Sequence, residues 1–277
     1  MTPEEVRSIF DREIDLVEKA SKLAEKERDE AEASLLDVVA AWYAKVFPKL
    51  RAWALARLAE QTSKVDPDPP DLGGLPKLAD DVSEALRLGV SAGSKAAYGA
   101  IGIELGEPPP AALAYAEERG AELVGMKRTS TGELIPNPNA EWRIDDALRE
   151  DVRDLVTQAI DEGWSTRELG EILSDDFTAW RSKTIARTET GFAYGNGAHS
   201  VYEENGVEYV RVLDGFGCLP DGHDDEAERV TDPIPGIVED GKQADGQIWT
   251  LAQYGELVLG HPNCVRAAVP YVASVDR

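Results

Sequence analysis

A chain of 277 residues with 53 acidic against 29 basic side chains carries a formal charge of -24 at neutral pH. Such a surface repels phosphate backbones, so bulk affinity for DNA or RNA is not expected, and it favours basic partner surfaces instead. The hydrophobic fraction of 42% argues against wholesale disorder. No apolar run reaches the ~18–20 residues that span a bilayer, and two cysteines, Cys218 and Cys264, are too few for a disulfide framework.

The opening MTPEEVRSIFDREIDLVEK lacks a basic head and an apolar stretch, so no secretory leader is expected and synthesis in a cytoplasm is. The same stretch reads as a helix start, with Thr2 as cap, Pro3 in the first helical position and Glu5 closing a capping box. Val6, Ile9, Phe10, Leu16 and Val17 form an apolar stripe, and the charged run 22–32 reads as a solvated helix face. Residues 33–60 are the richest apolar block, with Leu35, Val38, Val39, Trp42, Val46, Leu50, Trp53 and Leu58 near helical spacing. Pro48 is expected to kink that helix or split it in two, and Trp42 and Trp53 to be core residues.

A proline-rich linker or long loop follows over 61–77. Residues 78–105 read as a helix weakened by Gly89, Gly93, Gly99 and Gly102, although small residues also permit close helix approach. Another helix starts after Pro110 and stops at Gly120 or Gly125, and 126–142 reads as irregular, with Lys127-Arg128 a rare basic spot. Residues 143–162 form an amphipathic helix through Ile144, Leu148, Val152, Leu155, Val156 and Ile160, ended by Gly163. A capping box from Ser165 to Glu168 starts the next.

The pivotal stretch is 181–206, RSKTIARTETGFAYGNGAHSVYEENG, one long helix between a helical half and a half of strands and loops. Asn196-Gly197 is expected to turn left-handed after the helix. Arg187 and Glu189 are two residues apart, so on a helix they do not face each other, and a structural ion-pair role is expected of them rather than a catalytic one. Val207, Tyr209, Arg211 and Leu213 alternate with Glu208, Val210 and Val212 as a strand. Gln247, Ile248, Trp249 and Leu251 read as a short strand or turn, with Trp249 a core anchor, and Val269, Tyr271 and Val272 as a last strand.

The segment 182–199, with Ile185, Ala186, Arg187, Thr188 and Glu189 spelling IARTE, resembles the signature of the phage minor head morphogenesis protein family. The order of later features is similar too: a strand ending near Asp214, Cys218, an insert rich in Gly, Pro and Asp, then His261, Pro262, Asn263 and Cys264, with Pro270 after them. The family tail commonly pairs two cysteines first and closes on a further one. Here Asp221 stands at the second position of the pair, and Val265 or Arg266 where the last cysteine is expected. The resemblance covers roughly 145–270. It implies a structural, capsid-internal or portal-associated component acting in head assembly, with a helical N-terminal half.

Cys218, His223, His261 and Cys264 make a C-x4-H-x37-H-x2-C set whose sulfur and imidazole donors suit tetrahedral zinc, with Asp221 as a substitute ligand. A Cys218–Cys264 bond would staple the same loop-rich unit, and buried thiols are the third alternative. The cluster Asp221, His223, Asp224, Asp225 and Glu226 suits a divalent-metal hydrolase, or equally an acidic surface loop. No glycine-rich phosphate loop, nucleophile elbow or HExxH is present.

These readings converge on an α+β fold. A mostly helical region over 1–140, with its linker near 61–77, precedes a helix-plus-small-antiparallel-sheet domain over 141–277 with a loop-rich tail. The expected function is that of a phage minor head protein, not an enzyme, binding portal, major capsid or scaffolding protein inside the virion. Contact with packaged DNA would be indirect, no membrane is involved, and structural zinc is the one cofactor considered. The rivals are a metal-dependent enzyme built on the His/Asp/Cys cluster and a nucleic-acid-binding module built on Lys127, Arg128, Arg181, Lys183 and Arg187.

Overall fold

A computed structural model describes residues 3–60, 68–141, 143–213, 246–259, 264 and 266–271, with side chains from residue 24 onward except at position 175. It comprises a mostly helical N-terminal region, a long helix packed against a small antiparallel sheet, and a loop-rich C-terminal region. Contacts group the chain into two compact units that are each discontinuous in sequence. One holds 1–34, 85–116 and 187–277, and the other 35–84 and 117–186.

Helix α1 runs unbroken from Pro3 to Glu60. The expected split at Pro48 is therefore corrected. Pro48 and Ala44, whose carbonyl loses its donor, both lie on the exposed face, where a carbonyl can turn to solvent at little cost. On the opposite face Val46, Phe47, Leu50 and Ala54 are buried. Their burial offsets the cost of an interior proline, about 3 kcal/mol. In this second unit Trp42 Nε1 donates to the Gly73 carbonyl at 3.3 Å and Phe47 stacks on Phe177 at 5.8 Å. Arg51 donates to the Gly170 carbonyl at 2.9 Å. Trp42 is buried as expected, whereas Trp53 is half-buried.

Helices α2 (Leu75–Ala100) and α3 (Pro110–Glu122) follow, and Gly120 lies inside α3 because it packs against Ser83. The stretch expected to be irregular instead forms a hairpin of β1 (Met126–Arg128) and β2 (Leu134–Pro136), paired Met126↔Pro136. Its turn closes through Thr129 N–H to the Glu133 carbonyl at 2.9 Å, with Gly132 at φ 82. Helix α4 (Ile144–Glu162) buries Ile144, Leu148, Val152 and Val156 and stops at Gly163, φ 71. There the Gly163 and Trp164 N–H groups reach back to Ile160 and Ala159, a Schellman closure. Helix α5 (Thr166–Ile172) starts on the Ser165–Glu168 capping box.

Helix α6 spans Asp175–Glu204. The turn expected at Asn196-Gly197 is corrected: both lie within the helix. The left-handed exit is Gly206, φ 68, where Val207 N–H bonds the Tyr202 carbonyl at 3.0 Å. Strand β3 (Tyr209–Leu213) is the centre of a sheet ordered β4-β3-β5, with β4 at Ile248–Thr250, helix α7 at Leu251–Glu256 and β5 at Ala267–Pro270. Both pairings are antiparallel, Val210↔Trp249 and Val212↔Ala268. The inward face of that sheet, Val210, Val212, Trp249 and Ala268, packs with Ala198, Val201 and Tyr202 of α6 and with Tyr254 and Val258.

Candidate functional site

The first unit is organised around the 187–204 half of α6, which is buried on most sides. A helix buried all round normally reads as continuous apolar sequence. This one achieves it with small residues. A Cβ added at Gly93 of α2 would overlap the carbonyl oxygen of Tyr194, and one at Gly197 would overlap that of Val90. The backbones of α2 and α6 thus touch, and Ser94 Oγ donates to the Gly197 carbonyl at 3.3 Å. On another side of α6, a Cβ at Gly195 would overlap the Val258 side chain. One at Gly191 would lie 3.0 Å from Leu259 Cδ1 and 3.5 Å from the Cys264 carbonyl oxygen. The helix carrying the IARTE signature therefore meets the chain's closing run at its glycines.

That closing run is locally well specified. Thr250 and Gln253 form a capping box that starts α7 directly from β4. Trp249 is fully buried, as expected, and its Nε1 donates to Gln247 Oε1 at 2.9 Å. Arg266, also fully buried, sets its guanidinium 5.0 Å from the Trp249 ring and donates to the Leu257 carbonyl at 3.1 Å. Tyr202 Oη donates to the Ala268 carbonyl at 2.9 Å, joining α6 to β5. Burial pushes the Tyr254 phenol far above its ordinary pKa, and its Oη has no hydrogen-bond partner among the described residues. The Tyr202 phenol is raised by burial as well. Both phenols stay protonated at any ordinary pH.

The expected site residues divide sharply. Cys218, Asp221, His223 and His261 lie outside the described residues, as do Pro262 and Asn263. Of the proposed zinc ligands Cys264 alone is described, and it is buried. Among the described residues no group of three His, Cys, Asp or Glu side chains could hold a metal ion. In the signature, Ile185 and Ala186 are buried in one unit and Glu189 is buried in the other, while Arg187 and Thr188 are half-buried. The sequence marked position 266 only as the place of an expected cysteine. Nothing in its local pattern announced a buried cation.

The second unit holds a buried charge of its own. Asp145, in the first turn of α4, is 3% exposed and takes two hydrogen bonds from Arg143, at 3.2 and 3.0 Å. Burial raises its pKa despite the opposing pull of Arg143. Arg143 also pairs with Asp146 at 3.0 Å, and Asp146 with Arg149 at 3.3 Å. Tyr43 of α1 lies nearby, its phenol pushed up to about 12 by burial against the pull of Arg181. Arg181 is ion-paired with Asp151, and Arg128 with Asp80 at 2.6 Å. Two cations of the candidate nucleic-acid patch are thus already held by carboxylates, while Lys127 and Lys183 are exposed. An apolar depression of about 400 Å³ beside the hairpin is lined by Leu75, Val124, Met126, Pro136 and Pro138, with Arg143 at its edge.

No family model, no curated protein and no solved structure matches this chain significantly.

Proposed function

We propose that this chain is a phage minor head protein, a structural component that docks on portal, major capsid or scaffolding protein during head assembly. It turns over no substrate. The observation that supports the reading is that the helix carrying the first signature stretch packs against Cys264 of the second and against the run just before it. Gly191 and Gly195, just after IARTE, take Val258, Leu259 and the backbone of Cys264 directly onto α6. Gly191, Gly195 and Cys264, from the two stretches that carry the resemblance, thus share one packed joint with Val258 and Leu259. The charge of -24 suits docking on basic protein surfaces. On this reading the protein is made in the host cytoplasm and resides in the capsid interior or near the portal.

The test is co-purification of the full chain with portal, major capsid and scaffolding proteins, each expressed from the same phage genome, and detection of the chain in purified proheads. Stable association with one of the three, and its presence in proheads, is the expected result. Proheads that assemble normally and contain none of it would sink the proposal.

A further inference from the structure

Arg266 is the most deeply buried charged side chain among the described residues. A guanidinium cannot shed its proton, so its burial has to be compensated by fixed partners. Its partners include the face of Trp249, 5.0 Å from the guanidinium carbon, and the Leu257 carbonyl, 3.1 Å from Nη1. Trp249 belongs to β4, Leu257 caps the end of α7, and Arg266 itself leads into β5. One side chain therefore ties together three successive segments. The same run is pressed onto α6 through Val258, Leu259 and the Cys264 backbone. The Cys264 thiol is buried in this layer.

We propose that the clasp of Arg266 on Trp249 and Leu257, rather than a metal ion or a disulfide at Cys264, locks the closing run onto α6 and the sheet. The proposal goes beyond the head-assembly reading and does not depend on it. In this chain a stacked, hydrogen-bonded arginine does the mechanical work of a staple. It has no dependence on redox state or metal supply.

Thermal melts of the full chain, with and without chelator and reductant, and metal analysis of the same preparation, test it. Arg266→Met is expected to lower Tm by roughly 5 °C or more, since it removes the cation–π contact and leaves the Leu257 carbonyl unpaired. Arg266→Lys should recover little of that loss, because an ammonium lacks the planar face that stacks on the ring. Chelator, reductant and Cys264→Ser should each shift Tm by less than half as much, with well under one zinc bound per chain. About one zinc per chain, released in Cys264→Ser, would overturn the proposal. So would a wild-type melt that falls on chelation or reduction as far as in Arg266→Met, or an Arg266→Met protein that melts like wild type. Should Arg266→Met not accumulate as folded protein, the wild-type chelator and reductant melts decide, with Trp249→Phe in place of the arginine variant.

Discussion

The two compact units bury charge against different kinds of partner. One holds an acid, Asp145, beneath a bidentate Arg143, within a set of ion pairs that includes Asp146 and Arg149. The other holds a base, Arg266, set against an aromatic face and a backbone carbonyl, and buries an acid, Glu189, as well. An acid retains an escape by taking up a proton, so the cost of burying it varies with pH. Arginine has no such escape, and its partners must be permanent. The acid site is therefore adjustable and the arginine site is fixed.

The largest expected effect comes from breaking the close approach on which the arginine-bearing unit is built. Gly93→Val would drive a side chain into the Tyr194 carbonyl, backbone against backbone. A loss of about 3 kcal/mol or more, read from the urea midpoint or as failure to accumulate soluble protein, is expected. A wild-type midpoint would mean that α2 and α6 do not meet there.

The pH dependence sharpens the contrast. Because the folded-state pKa of Asp145 is raised, the native state holds its proton more tightly than the unfolded chain does. The stability this contributes is fully present below the ordinary carboxylate pKa and is lost as pH rises through the raised value. Asp145→Asn should thus gain on wild type as pH rises through the weakly acid range, measured as the difference in urea midpoints at each pH. Arg266→Met should show a difference from wild type that stays flat over the same window.

The smallest effect is expected at an ion pair left partly in water. Lys95 and Glu27 tie α2 to α1 at 2.7 Å, with side chains 30% and 23% exposed. Lys95→Ala should cost only about 0.5 kcal/mol, and less at high salt.

Elements that announce themselves locally were legible in the sequence. The α4 helix carries its apolar period and its terminal Gly163, and α5 carries its capping box from Ser165 to Glu168. Trp249 was legible as core. The 126–136 hairpin was not, because two three-residue strands, one ending in proline, show no alternation to read. The course of α6 past Asn196-Gly197 was hidden for a different reason. Asn-Gly is a turn signal by intrinsic preference, and the neighbouring backbone at Val90 overrides it by leaving no room for anything larger than glycine. Pro48 misled in the same way, since the helix tolerates it on a wet face that spacing alone did not identify.

By itself, then, the sequence determined the class of fold, the stop at Gly163, the Ser165–Glu168 cap and the apolar face of α4, since these depend on residues within a few positions of one another. It also supplied the resemblance on which the head-assembly proposal rests. Which glycines serve contact rather than turning, how the two units draw on separated segments, and that position 266 would bury its charge against Trp249 were decided only by tertiary structure. Each depends on what a residue meets from elsewhere in the chain, and local periodicity carries no record of that.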